Sequence, residues 1–213
     1  SSTGQMAQML LGNPFVFPET FHTAGYFSSF FIFIPAIVVI MMITNEYTYK
    51  THRQNIIDGW SRNEFLIGKF IDVLLITLLV TLLYFIVALI IGFASTKAPV
   101  QDIFSKSSYV GLFALQTFSQ LSIAFLIGFL VRKSFIALSI FIFYYLIVEN
   151  TLVNILKVKA NDIGRFLPLE ISDRLIPIPA FLGKFNEDSY KASLDAIGLY
   201  IWLTVAVTAV IWF

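Results

Sequence analysis

Long apolar runs constrain this chain more than any other feature. Phe27 to Thr44 is eighteen residues without a charge, Phe70 to Ala94 is twenty-five residues interrupted only by Asp72, and Tyr109 to Val131 again contains no charge. Phe135 to Leu156 carries Glu149, and Ser193 to Phe213 closes the sequence. About twenty apolar residues in a helix cross the hydrocarbon of a bilayer, and only structures that satisfy their own backbone polar groups survive there. The expected fold is therefore all-α: a polytopic membrane helix bundle forming one domain over 1–213. Its spans are expected near 27–44, 70–94, 109–131, 135–156 and 193–213, with a connector at 157–192. A composition of 58% hydrophobic and 13% charged residues, with a mean hydropathy of +0.83, excludes an ordinary soluble domain.

Charge and cysteine content exclude other classes. Fourteen Lys+Arg against thirteen Asp+Glu leave a net charge of +1, which provides no basic field for nucleic acid. With no cysteine there is neither a disulfide nor a thiolate metal site. His22 and His52 stand outside any H-E-x-x-H pattern, and no cofactor is expected in the chain. Gly68-Lys69 and Gly183-Lys184 lack the other elements of a phosphate-binding loop, and no G-x-S-x-G elbow occurs. The sequence lacks a starting Met and ends in an apolar run, so it reads as a segment of a longer protein.

Between the first two runs lies the densest polar stretch, Asn45 to Lys69. It holds two capping-box patterns, Thr51-x-x-Gln54 and Ser61-x-x-Glu64, which set two helix starts ten residues apart. Gly59 is placed to stop the first helix. Within His52 to Trp60, Arg53, Ile56, Ile57 and Trp60 fall on one helical face with the preceding Tyr49. Spacing alone fits either an interfacial helix that seals a loop or a docking surface.

The order of these residues resembles the permease subunits of type-2 ATP-binding-cassette exporters. In that family the second membrane helix runs into a Glu and a Thr, here Glu46 and Thr48. A short coupling helix follows, here 52–60, then a Ser-Arg pair, here Ser61-Arg62, and a Lys that opens the third membrane helix, here Lys69. Where the family often has a proline before the Ser-Arg pair, this chain has Gly59-Trp60. The resemblance implies a six-span permease of which five spans are visible, a multi-pass protein of the cell membrane, in bacteria the cytoplasmic membrane. It implies a separate ATPase subunit that binds ATP and Mg and docks on Arg53, Ile56, Ile57, Trp60 and Arg62. Glu46, Thr48 and Lys69 would anchor the helix ends, and a second permease copy or homologue would complete the path. Lys and Arg counts in the loops, six on one side and eight on the other, leave orientation open. The resemblance puts Glu46 to Lys69 in the cytoplasm and the 157–192 connector outside.

The remaining polar residues carry two readings each. Pro35 is expected to kink the 27–44 span, either beside a transport path or as ordinary packing of a bent helix. Thr77, Thr81, Tyr84 and Ala88 form a stripe typical of helix packing. Gln116 and Gln120, one turn apart amid Thr117, Ser119 and Ser122, must turn away from lipid. They serve either interhelical hydrogen bonding or the lining of a translocation route. Glu149 is a functional candidate or an acid near the far interface, with Tyr145 one turn earlier as a hydrogen-bond partner. The connector 157–192 suits a compact cap or partly re-entrant segment, Ser1 to Tyr26 a loop or short surface helix, and Tyr200, Trp202 and Trp212 interface anchors. Function is thus expected to be that of an ATP-driven exporter's permease, without a nucleotide site of its own. The alternatives are an intramembrane enzyme using Glu149 and a non-transporting membrane anchor or sensor.

Overall fold

The computed structural model describes residues 14–51, 61–96, 102–159, 163–183 and 187–213, and these are helical with no strand among them. In chain order the helices are α1 (Glu19–Ser29), α2 (Phe33–Thr48), α3 (Arg62–Ser95), α4 (Ser108–Val131) and α5 (Ser134–Phe143). A π-helical turn, Tyr144–Val148, joins α5 to α6 (Glu149–Lys159). A 3-10 turn (Ile163–Phe166) then leads to α7 (Pro168–Asp173), α8 (Ala180–Gly183), α9 (Glu187–Asp195) and α10 (Ile197–Trp212).

Among the described residues three helices are long and apolar enough to cross a membrane: Arg62–Ser95, Ser108–Val131 and Ser134–Lys157. The number rises to five if α1 with α2, bent by 49°, and α9 with α10, bent by 50°, each count as one span. α4 is the hub, packing against α2, α3, α10, α1 and α7. Its burial explains why the most polar run of the chain tolerates an apolar environment: Gln116, Thr117, Ser119, Gln120 and Ser122 are all buried within the bundle. The spans Arg62–Ser95 and Ser134–Lys157 bury little of their apolar runs within the bundle and keep most of them outward.

Local chemistry accounts for the ends. Ser61 caps α3 through a complete box, Glu64 N donating to Ser61 Oγ at 3.2 Å and Ser61 N donating to Glu64 Oε2 at 2.7 Å. α4 and α5 are separated only by Arg132 and Lys133. Arg132 takes a left-handed φ of 59° that closes the hairpin. On α3 the buried stripe is Val73, Thr77, Thr81, Tyr84, Ala88 and Gly92, which contains the four residues expected from spacing. Each threonine on it satisfies its hydroxyl on a carbonyl one turn back, Thr77 on Val73 at 2.9 Å and Thr81 on Thr77 at 2.8 Å. Gly92 ends the stripe because a Cβ there would sit 2.3 Å from the ring of Phe17.

Four expectations need correction. Residues ahead of Phe27 do not remain at the surface, since Thr20 to Gly25 of α1 are buried. His22 Nε2, Ser29 Oγ and the Phe21 carbonyl of this helix find long-range partners in Pro177 O, Gln116 Oε1 and the Tyr84 hydroxyl. The bend falls at Phe30 to Ile32 and not around Pro35, because Pro35 lies in the first turn of α2, where its missing N–H has no carbonyl to lose. Helical structure in the last run begins at Glu187, ahead of Ser193. Of the three aromatic anchors only Trp202 faces outward. Tyr200 is buried, and Trp212 stacks on Phe125 at 4.7 Å while its indole N–H donates to Ser122 Oγ at 2.9 Å.

Candidate functional site

The chain between α6 and α10 folds back among the spans, and the polar residues of those spans converge on it. α7 packs against α4 and α10, burying Leu169, Ile171 and Ser172, with Leu175 and Ile176 following. A helix this short, lodged beside spanning helices, leaves end groups that neighbours must satisfy. Glu149 does so at its N-terminus: Oε1 accepts the Glu170 N–H at 2.7 Å. At its C-terminus Gln116 and Gln120 meet a side chain and not the backbone, their Nε2 groups donating to Asp173 Oδ1 at 2.9 and 2.7 Å. Gln120 Nε2 also reaches Ser172 Oγ at 3.1 Å.

The three residues proposed from the sequence for a translocation path are therefore brought together, and each touches the short helix α7 or the Asp173 side chain at its end. Glu149 corrects one detail, because its tyrosine neighbour is Tyr144 and not Tyr145. The π-helical turn offsets the register just before Glu149, and Tyr145 instead donates from its hydroxyl to Ser29 O at 3.4 Å. Asn150 supports this turn, its Nδ2 donating to Tyr145 O and Leu146 O at 3.2 and 3.3 Å.

Further bonds tie the re-entrant segment to the first and last helices. His22 Nε2 lies 2.8 Å from Pro177 O and its ring stacks on Tyr109 at 4.1 Å. Ser29 Oγ donates to Gln116 Oε1 at 2.9 Å, completing a relay from α1 through α4 to Asp173. Arg174 pairs with Glu170 at 2.7 Å and donates to Tyr200 Oη at 3.2 Å. Sequence inspection missed Asp173, Arg174, His22 and Ser29. The polar density of 170–174, inside a connector otherwise rich in apolar residues, was the available signal.

Asp173 differs from the other members. The residue is exposed, yet protein atoms crowd its carboxyl group. That crowding pushes its pKa up, to about 7, against the lowering by the Gln116 amide; the Glu170 charge adds to the rise, Gln120 opposes it and Glu149 adds to it. Solvent reaching the open face works against the rise.

At the opposite end of the bundle a second cluster joins α2 to α3. Lys69 Nζ donates to Glu46 Oε1 and, at 2.9 Å, to Asp72 Oδ2. Two of the three expected anchors thus meet, while Thr48 donates only to Thr44 O of its own helix, at 3.0 Å. Tyr47 lies beneath the Arg132 guanidinium at 5.1 Å, and Thr44 meets Ser134 at 2.7 Å, so the α4–α5 hairpin shares this end. Arg62 is exposed in the first turn of α3. Arg53, Ile56, Ile57 and Trp60, with the rest of the expected coupling helix 52–60, lie outside the described residues.

A family model described as "Protein of unknown function (DUF2705)" matches residues 7–173. The chain belongs to the DUF2705 family. The match runs from ahead of α1 to the last residue of α7, and so includes both clusters of this DUF2705 protein. Neither the curated proteins nor the solved structures contain a match to it. Among the described residues no three His, Cys, Asp or Glu side chains come together in a way that would hold a metal ion.

Proposed function

We propose that this DUF2705 protein is the membrane-spanning permease subunit of an ATP-driven exporter of the type-2 ATP-binding-cassette class. The reading rests most on one observation: Lys69 clamps Glu46 and Asp72, so that α2 and α3 are fastened together at the two ends of the segment 52–60. In this reading the segment 52–60, joined by the chain to both rods, transmits displacement to both. Half-buried ion pairs suit such a joint, because breaking one leaves an uncompensated charge.

In this reading Arg53, Ile56, Ile57, Trp60 and Arg62 receive a cytoplasmic ATPase subunit, which supplies the nucleotide and Mg. The protein is a six-span, multi-pass component of the cell membrane, and a second permease copy or a homologue faces it. The re-entrant segment then lies toward the outer side, where its bonds to α1, α4, α6 and α10 let movement of the spans reach it. Gln116, Gln120 and Glu149 act as the outer latch of the path more than as its wall. An intramembrane enzyme centred on Glu149 draws no support from the geometry. One carboxylate oxygen caps α7, and Asp72 belongs to the Lys69 cluster at the other end of the bundle.

The test is purification of the full-length protein from its native membrane. A stoichiometric soluble ATPase is expected to accompany it and to be lost in the Ile56→Asp, Trp60→Ala double variant. Absence of ATP hydrolysis in the native preparation, or retention of the ATPase by the double variant, would overturn the reading.

A further inference from the structure

Helices α5 and α10 both pack against α4, and a cleft of about 520 Å³ lies between them. Ile123 and Ile127 of α4, Ile140 of α5 and Val210 of α10 line it, with Tyr144 of the π-helical turn and Pro168, the first residue of α7. Its floor is closed and its rim is open: Ile123 is 7% exposed, Ile140 45% and Val210 82%. That volume falls within the range of small-molecule sites, about 300–1,000 Å³.

α7 stops the cleft at one end. Asp173 meets α4 at Gln116 and Gln120, and Arg174 meets α10 at Tyr200. The cleft begins further along both helices, at Ile123 and Ala206. Tyr144 stands at the same end, because α5 runs away from the α4–α5 hairpin and Tyr144 lies one turn beyond Ile140.

The lining decides what can enter. Among the described residues no charged side chain borders the cleft, and Tyr144 is the one polar side chain there. Water needs about two to four polar partners and finds none to spare, and a charged ligand would go unpaired. A second copy of the chain fits poorly, since a stable protein interface takes about 20–30 residues a side and the cleft offers ten. A helix that crosses a bilayer is about 30 Å long, whereas the cleft runs only along 123–127 of α4 and 206–211 of α10, with α7 across its end.

The spans Arg62–Ser95 and Ser134–Lys157 turn most of their apolar runs outward, so in a bilayer the medium at the open rim is hydrocarbon. A flexible alkyl chain is the component of that medium narrow enough to enter. Entry gains no hydrophobic free energy, because lipid tails are as apolar as leucine. It gains packing, since an empty cleft forfeits the dispersion contacts of its lining.

We propose that this cleft is a lipid-binding site that holds one acyl chain of a bilayer phospholipid between α4, α5 and α10. The chain ends against Pro168 and Tyr144, and so braces the start of the re-entrant helix. The site requires that the bundle lie in a bilayer and does not depend on the permease reading.

The experiment is photolabelling of the purified full-length protein in nanodiscs containing a trace of phosphatidylglycerol with a diazirine midway along one acyl chain. Labelled residues are mapped by mass spectrometry. Label is expected on Ile123 and Ile127, which lipid at the bundle's perimeter does not reach, as well as on the exposed Leu78, Leu79 and Leu82 of α3. Ala206→Phe narrows the cleft and is expected to lower label at Ile123 and Ile127 several-fold while leaving that of α3 unchanged. Val210→Trp, at the exposed rim, serves the same end should the first variant not fold. Label confined to α3 on the unaltered protein would overturn the site, and is the result a second copy seated over the cleft would give. Label at Ile123 and Ile127 that a folded cleft-narrowing variant leaves unchanged would overturn it as well.

Discussion

Lys69 is only 12% exposed at its side chain and holds two carboxylates, Glu46 at 20% and Asp72 at 39%. Replacing it with Met strands both, and the expected loss is about 1–3 kcal/mol, between the ranges for exposed and buried pairs. Glu46→Gln in the Lys69→Met background should restore part of that stability. Thermal melts of the four proteins of the cycle measure the coupling, and simple additivity would show that the pair does not fasten the helices. Asp173 gives a pH dependence with a definite sign. Its folded pKa lies above the ordinary value for an aspartate, so the native state binds the proton more tightly than the unfolded chain. Its contribution is fully present below that value and is lost as pH rises toward about 7. Wild type should therefore fall in stability relative to Asp173→Asn across that interval. A constant difference between the two melting curves would contradict the assignment.

At the scale of elements, contacts between helices are set by single small residues and single caps. A Cβ at Gly92 would meet the Phe17 ring, and one at Gly128 would sit 2.5 Å from Ile43 Cγ2. Gly128→Ala should cost about 1–3 kcal/mol by overpacking α4 against α2, read from the thermal midpoint. For the re-entrant helix, Glu149→Gln keeps an acceptor for the Glu170 N–H whereas Glu149→Leu removes it. The leucine variant should expose α7 to limited proteolysis and the glutamine variant should not; equal cleavage of both would show that the cap is immaterial. Which elements were legible follows the same physics. Helices α3, α4 and α5 were readable because an unbroken apolar run of that length has one outcome, and the α3 cap was readable because its box is local. α1 was not, since Glu19 to Ser29 is polar enough to pass for surface until His22 and Ser29 find partners 155 and 87 residues away. The inward turn of Gln116 and Gln120 was legible from cost alone; their partner, Asp173, was set by a tertiary fold-back that no periodicity encodes.

On the scale of the whole molecule, an apolar bundle holds two separate polar clusters, one around Lys69 and one around Asp173. One ties α2, α3 and the α4–α5 hairpin, and the other ties α1, α4, α6 and α10 to a re-entrant helix. α4 packs against helices of both, and Arg132 at its end lies over Tyr47 of the first. The permease reading assigns the first cluster to the cytoplasm and depends on that side being right. These 213 residues hold no cysteine, so His52→Cys, with any cysteine elsewhere in the full-length protein replaced by serine, introduces a single reporter in the segment where the ATPase would dock. The deciding measurement is labelling of that variant in the native membrane with a membrane-impermeant maleimide. The account predicts no labelling in intact cells and full labelling once the membrane is permeabilised; strong labelling of intact cells would contradict it, because no cytoplasmic ATPase could then reach the segment.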